Sequence, residues 1–268
     1  MNKTKICIIG GRGYVGKSLV AFFNSHDSFT TYVKEKDYQA VGCDEAEIAI
    51  VCVPTQMAED GFCDTSIVQK VVEECKQDII LIKSAVPPGT TDLLKIKTGK
   101  RIVVSPEYIG EGKYTMPYWQ NLPHPTDMTK HDFQIFGGDR KDTNIFVELF
   151  SRILGPYCRF YQTNPVTAEL TKYMENCFFA TKITFCHEFS RIAEVFGVDY
   201  HELRELWLAD GRVNRGSSAV FDMENRGYGG KCLPKDISAI YHAAKFLGHD
   251  SGFLKQVMQT NSELRGDK

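Results

Sequence analysis

Nowhere in the 268 residues is there an apolar run long enough to cross a bilayer, so no membrane-embedded role is expected. The seven histidines show no metal-ligand spacing, and the nine cysteines, an odd number, include no CxxC pair. Neither a zinc site nor a disulfide framework is therefore expected. A formal net charge of only −2 gives no electrostatic footing for nucleic acid or an anionic membrane surface. Internal repeats and low-complexity tracts are lacking too. The N-terminal residues run straight into a strand-like stretch and leave no room for a signal peptide. Cys7 and Cys52 lie within apolar runs, as packed thiols do. A reducing, cytoplasmic compartment is the resulting expectation.

What remains is ordinary globular material, 43% hydrophobic and 25% charged. The length suits two domains. Short strands alternate with helical patterns up to about residue 162, which predicts an α/β fold with a doubly wound, mostly parallel Rossmann-type sheet over 1–162. Residues 163–268 read as all-helical.

Lys5 to Ile9 forms a β-branched strand that runs into Gly-Gly-Arg-Gly-Tyr-Val-Gly, residues 10–16. Gly11, Gly13 and Gly16 make the G-x-G-x-x-G pattern, and residues 18–23 read as an amphipathic helix. In this context the pattern is a dinucleotide fingerprint. Gly11 makes the tight turn, Gly13 admits the pyrophosphate, and Gly16 lets the helix pack on the strand. An acidic residue to hold the ribose hydroxyls is expected about 20 positions on. Glu35 fits that role and NAD. Its neighbours Lys34 and Lys36 suit the extra phosphate of NADP equally well.

Later strands, 47–53, 79–82 and 101–104, end in polar loops at Pro54-Thr55, Lys83-Ser84-Ala85 and Ser105-Pro106-Glu107-Tyr108-Ile109-Gly110-Glu111. Ligands of such sheets bind outside the carboxyl ends of the strands, where these loops fall. Glu107 and Glu111 are four apart, so one helical turn would place both on the same side. Carboxylates beside a cofactor serve as general bases, although a pair of this kind is more often a solvated cap. Residues 113–130 are rich in aromatics and proline and show no period. Further elements are expected at 132–136 (strand), 144–154 (helix) and 159–161 (strand).

Asn164-Pro165 starts a helix that meets no proline or glycine before Gly197, a span of about 45 Å. Glu169, Lys172 and Asn176 share one stripe of it, for which a solvated Glu–Lys pair is the usual explanation. Asp199 caps a following helix, with Glu202 at the capping-box position. Then comes Gly-Tyr-Gly-Gly-Lys-Cys-Leu-Pro-Lys-Asp, residues 227–236. Its glycines let backbone pass close to a ligand. Lys231 and Lys235 flank Cys232 and favour its thiolate, the nucleophilic form. A helix beginning at Asp236 puts that thiol at a loop-to-helix junction. The alternative is a glycine turn beside an inert cysteine. Residues 253–264 form a last amphipathic helix.

In this order, the segments at 10–16, 53–55, 83–91, 105–112, 168–176 and 227–236 resemble the UDP-glucose/GDP-mannose dehydrogenase family. The resemblance implies oxidation of a sugar primary alcohol to a carboxylate in two NAD-dependent steps. It implies Cys232 as the nucleophile that forms a thiohemiacetal and then a thioester. Lys172 and Asn176 would hold the alcohol oxygen, Asp236 would assist a water or Lys172, and Glu107 would be the base for thioester hydrolysis. Cofactor contacts are implied at Gly11, Gly13, Tyr14, Val15, Gly16, Glu35, Pro54, Thr55, Ser84 and Glu111. Substrate contacts are implied at Tyr108, Ile109, Tyr228, Gly229 and Arg212, the last toward a partner subunit in a homodimer built on the helix 165–196.

The sequence departs from the family in three places. Ala85 stands where the family has threonine. The region after the first helix is abbreviated and 112–130 carries an extra segment. A third, nucleotide-binding domain would be expected beyond Lys268. Two other readings compete with this one. A β-hydroxyacid or 6-phosphogluconate-type dehydrogenase also joins a dinucleotide domain to a helical one, and needs no thiol. A catalytically weak NAD-binding module would bind cofactor without turnover.

Overall fold

The computed structural model describes residues 3–109, 127–220 and 226–266. Two compact units emerge, one comprising 1–56 with 64–172 and the other 57–63 with 173–268. The division falls within one long helix, after Lys172.

The first unit is built on an eight-stranded sheet. Its strands are β1 (Thr4–Ile9), β2 (Phe29–Glu35), β3 (Tyr38–Gln39), β4 (Ile48–Val51), β7 (Ile79–Ile82), β8 (Arg101–Val104), β9 (Phe133–Gly137) and β10 (Arg159–Thr163). A two-residue hairpin, β5 (Gln56–Met57) with β6 (Cys63–Asp64), stands apart. The strand order is β10-β9-β8-β7-β4-β1-β2-β3. Pairing is parallel from β2 through β1, β4 and β7 to β8, and again between β9 and β10. The short β3 joins antiparallel to β2, and β9 meets β8 antiparallel.

Every residue of β4 and β7 is buried, as expected of interior parallel strands covered on both faces. The side-chain period of two divides them cleanly between the faces. Ile6, Ile8, Ile48, Ile50, Ile79 and Leu81 pack with Leu19, Phe22 and Phe23 of α1 (Tyr14–Asn24) and with Phe146, Leu149 and Phe150 of α4 (Arg140–Leu154). On the other face Cys7, Ile9, Ala49, Val51, Ile80 and Ile82 meet Val68 and Val72 of α2 (Ser66–Glu74) and Leu94 of α3 (Thr90–Thr98). Each fully buried side chain of this size contributes about 1.5–3 kcal/mol. The helix expected from residue 144 begins a turn earlier, at Arg140, because Asp142 and Thr143 are buried rather than lost to a loop.

The chain passes from β1 outward to β2 and then returns to the other side of β1 at β4. A crevice therefore opens between β1 and β4 at their carboxyl ends.

The second unit is helical. It contains the later part of α5 (Pro165–Val195) with α6 (Tyr200–Trp207), α7 (Leu233–Phe246) and α8 (Gly252–Arg265). Cys177, Ala180, Tyr228, Ile237 and Val257 form its core. Asp199 caps α6 by accepting the His201 N–H at 2.8 Å. The tip of the β5–β6 hairpin belongs to this unit, where the Gly61 carbonyl accepts from Ser238 Oγ at 2.8 Å. That hairpin was not expected, since residues 54–65 show no alternation. Among the described residues no helix is long and apolar enough to cross a membrane. Among them, too, no group of three or more His, Cys, Asp or Glu side chains is arranged to hold a metal ion.

Candidate active site

In the first unit, β1 delivers the chain into the glycine turn. The residue in the left-handed region is Gly10, at φ +85°. A Cβ on Gly10 would stand 2.7 Å from the Cys52 carbonyl oxygen. Gly11 instead makes room for Val33, whose Cγ1 would lie 2.9 Å from a Cβ there. Gly13 is the N-cap of α1, and Tyr14 and Val15 open that helix. At Gly16 a Cβ would sit 2.1 Å from the Gly10 carbonyl oxygen, so helix and turn touch only because both are glycine.

Glu35, at the end of β2, accepts the backbone N–H of Arg12 in this turn at 2.6 Å, which fixes the acid beside the glycines. A turn stripped of side chains, a helix N-terminus and a carboxylate at the neighbouring strand end are together what a dinucleotide requires. The residues present therefore fit that cofactor. Two hydroxyls stitch the adjoining loops. Thr55 Oγ1 donates to the Ala85 carbonyl at 2.9 Å, and Ser84 Oγ donates to the Val53 carbonyl at 2.7 Å, with Pro54 between them in sequence.

The loop after β8 carries Glu107, Tyr108 and Ile109. Glu107 is buried, and one of its oxygens accepts the Ile109 N–H. The other, Oε2, is buried with no hydrogen-bond partner. Burial pushes the carboxyl pKa up, while the charge of Lys83, the Ile109 N–H and the charge of Lys172 pull it down. The ring of Tyr108 lies 4.9 Å from Lys172 Nζ, and Ile109 is buried in the core. Residues 105–109 are not helical, so the expected helical turn does not begin at Glu107. Glu111 lies outside the described residues, as does most of the 113–130 segment.

In the second unit Cys232 is exposed, whereas seven of the other cysteines are buried and Cys52 is partly so. Cys232 is the N-cap of α7, which starts at Leu233 rather than at Asp236, with Pro234 in its first turn. The first turn closes with the Asp236 N–H donating to the Cys232 carbonyl at 2.9 Å. Asp236, 1% exposed, accepts from Asn176 Nδ2 at 2.5 Å and pairs with Lys235 Nζ. Lys235 therefore turns its ammonium inward to Asp236. Nearby Cys177 is pushed up to about 12 by burial and by the charge of Asp236.

The glycine loop ahead of Cys232 is fastened to α8. Asn261 accepts the Tyr228 N–H at 2.7 Å and donates to the Tyr228 carbonyl at 3.1 Å. Gly227, at φ +81°, leaves only 2.4 Å between a Cβ and Asn261 Oδ1. At Gly229 the corresponding approach is 2.8 Å, to Arg265 Nη1. Arg212 is exposed and its Nε and Nη2 bind Asp210 of its own turn.

Two family models match the chain. The NAD binding domain of the UDP-glucose/GDP-mannose dehydrogenase family covers residues 30–123, and that family's central domain covers 166–263. The chain belongs to this family. The first unit accordingly carries the family's NAD-binding domain, which agrees with the glycine turn and Glu35. A curated relative, the UDP-glucose 6-dehydrogenase YwqF of Bacillus subtilis (strain 168), is 32% identical over 82% of this chain. The chain spans about half the length of that relative, 50%. A solved UDP-glucose dehydrogenase from the archaeon Pyrobaculum islandicum superposes with a TM-score of 0.77 at 22% identity, over 98% of this chain and 68% of its own. The 3-hydroxyisobutyrate dehydrogenase of Mycobacterium tuberculosis gives 0.69 at 13% identity, over 99% of this chain and 94% of its own. At those identities the two structural likenesses speak of fold alone.

Three residues at the motifs of this family member escaped the sequence reading. Glu169 is no solvated partner of Lys172. It is 2% exposed and accepts the Gly89 N–H at 2.6 Å, the Thr91 N–H at 2.9 Å and Thr91 Oγ1 at 2.6 Å. It thus caps the N-terminus of α3, and burial lifts its carboxyl to about 6 against those hydrogen bonds. Lys83, 2% exposed, donates from Nζ to Ser105 Oγ at 3.1 Å and to the Pro106 carbonyl at 3.2 Å. A lysine directly after four apolar strand residues was the available signal. Asn261 offered none beyond a polar position on an amphipathic helix.

Proposed function

We propose that the chain oxidises the C6 primary alcohol of a nucleotide sugar, UDP-glucose first among them, to the carboxylate in two NAD-dependent steps. The observation that carries this reading is Cys232, an exposed cysteine at the N-cap position of a helix whose first turn holds Asp236 bonded to Asn176. A helix N-terminus favours a thiolate, and a thiolate adds to an aldehyde carbon.

Lys172 and Asn176 hold the alcohol oxygen and stabilise the negative charge that grows on it as its proton leaves. When bound, NAD supplies the acceptor for the hydride at each oxidation. The Cys232 sulfur captures the aldehyde as a thiohemiacetal, which loses its second hydride to become a thioester. Covalent capture divides a difficult oxidation into two accessible ones. Glu107 takes a proton from the water that attacks the thioester, releasing carboxylate and thiol. Asp236 orients Asn176 and assists Lys172 or a bound water. Tyr108, Ile109, Tyr228 and Gly229 line the substrate, and Arg212 reaches the substrate of a partner subunit. Residues 1–162 serve the cofactor and 163–268 serve catalysis and dimerisation. The homodimer rests on α5, where Met174 and Phe178 are 76% and 60% exposed one turn apart. A reducing, cytoplasmic setting suits an exposed nucleophilic thiol.

The second reading, a single-step β-hydroxyacid dehydrogenase, draws on the likeness to the 3-hydroxyisobutyrate enzyme over nearly its whole length. Stoichiometry separates the two. With UDP-glucose and NAD, the first predicts two NADH and one carboxylate per sugar, with Cys232→Ser making no carboxylate. One NADH per substrate, or a Cys232→Ser variant that still forms the acid, would reject it.

A further inference from the structure

We propose that Lys83 is the positioning residue of the Glu107 loop, bracing Ser105 and Pro106 and keeping the adjacent glutamate a carboxylate ready to take a proton from water. The inference rests on the reading of Glu107 as the hydrolytic base and adds the residue that keeps it competent.

The geometry begins with an ammonium where burial disfavours one. Lys83 follows the last residue of β7 and is 2% exposed. Two of its N–H bonds go to Ser105 Oγ and to the carbonyl of Pro106, the residue immediately before Glu107. Those contacts tie the β8 loop to the end of the neighbouring strand. They also set a positive charge beside a buried carboxylate whose Oε2 has no hydrogen-bond partner. Leaving such an oxygen unmet costs free energy and calls for an explanation, of which a partner during catalysis is one. A base needs an oxygen like this one, otherwise unengaged.

Among the described residues, the charged and titratable groups acting on the pair are Lys172 and the Cys52 thiol. Lys172 acts on both Glu107 and Lys83, and the Cys52 thiol lies near both. Burial works against the ionised form of each member, and each charge works to keep the other ionised. In the proposed reaction Lys172 is engaged by the alcohol oxygen. Lys83 is then the cation left to Glu107.

The test reads the carboxyl directly and needs no turnover. The full chain is labelled with carboxyl-13C glutamate, and the Glu107 signal is identified by its loss in Glu107→Gln. Its titration midpoint is compared in wild type, Lys83→Met, Lys83→Arg and Ser105→Ala. An opposite charge nearby lowers a carboxylate by about 1–3 units, so Lys83→Met is expected to raise the midpoint by about one unit or more. At a pH midway between the two midpoints, most of the ionised Glu107 is lost. Lys83→Arg, which keeps the charge, and Ser105→Ala, which removes one brace but no charge, are expected to stay close to wild type. A midpoint unmoved in Lys83→Met overturns the proposal. So does a Ser105→Ala shift as large as that of Lys83→Met, which would leave the lysine a mere strut. If Lys83→Met does not fold, Lys83→Arg and Ser105→Ala still decide, because a shift in either contradicts a charge-based role. The base assignment is judged separately: Glu107→Gln turning over UDP-glucose and NAD at the wild-type rate would remove it without touching the titration.

Discussion

Replacing Asp236 with asparagine isolates one charge at the centre of the helical unit. The side chain keeps its shape and still offers Asn176 Nδ2 an oxygen. What it loses is the negative partner of Lys235, whose side chain is only 9% exposed. Removing one member of a buried ion pair strands the other, and the cost is about 3–5 kcal/mol. The weakened hydrogen bond from Asn176 adds about 1 kcal/mol, the difference between a charged and a neutral acceptor. Removing both charges is a different perturbation. A Lys235→Met/Asp236→Asn double variant leaves no stranded ammonium, and its stability should return to within about 1–2 kcal/mol of wild type. A chain of two units need not unfold in one step, so a global melting curve is the wrong assay. Amide exchange along α7 reports the opening free energy of the helical unit itself. A cost below about 1 kcal/mol for Asp236→Asn, or a double variant as weak as the single one, would refute the claim that this pair is desolvated and mutually dependent. Turnover gives a second readout. The proposed mechanism predicts that the double variant is stable yet slow with UDP-glucose and NAD, since restoring the fold does not restore the acid.

Two further expectations follow from buried polar groups. Asn261→Ala leaves both the N–H and the carbonyl of Tyr228 unpaired in a buried site, which should destabilise the helical unit by about 2–4 kcal/mol in urea titration. A loss under about 0.5 kcal/mol would mean that water replaces the side chain at no expense. Glu169 titrates at about 6 in the folded chain against an ordinary value of 4.5. The folded state therefore binds its proton more tightly than the unfolded state does, and stability contributed by the protonated form is lost as pH rises from about 4.5 through 6. Measured against Glu169→Gln, wild type should lose about 2 kcal/mol between pH 4 and pH 7. A difference between the two that does not change with pH would show that the hydrogen bonds to Gly89 and Thr91 fully offset the burial, and one that favours wild type as pH rises that they outweigh it.

How far the sequence could be read depended on how far apart the interacting residues lie along the chain. Ile-Ala-Ile-Val and Ile-Ile-Leu-Ile announce β4 and β7 because a buried parallel strand is apolar on both faces, a property carried by four consecutive residues. The glycine turn was legible for the same local reason. What local reading could not supply was the part of Gly10, which takes the positive φ and against which the carbonyl of Cys52 presses. The junction that carries Cys232 was foreseen from a glycine run followed by a helical period.

What could not be read were pairings between distant segments. The stripe of Glu169, Lys172 and Asn176 said only that the three share a face. Their partners, the Thr91 amide for Glu169 and Asp236 for Asn176, are 78 and 60 residues away. Asn261 and Tyr228 are 33 apart, Lys83 and Ser105 are 22. The reason is physical. A loop that carries chemistry has exposed backbone to satisfy and little apolar surface to bury, so side chains from other elements must hold it in place. Those side chains are polar and buried, a combination that no local period predicts. Glu107 inverts the rule, for its Oε2 is buried and unmet. Among the described residues Glu188 Oε2 is buried and unmet as well, so the unmet oxygen of Glu107 becomes a base only through the proposed hydrolysis, which the Glu107→Gln variant tests.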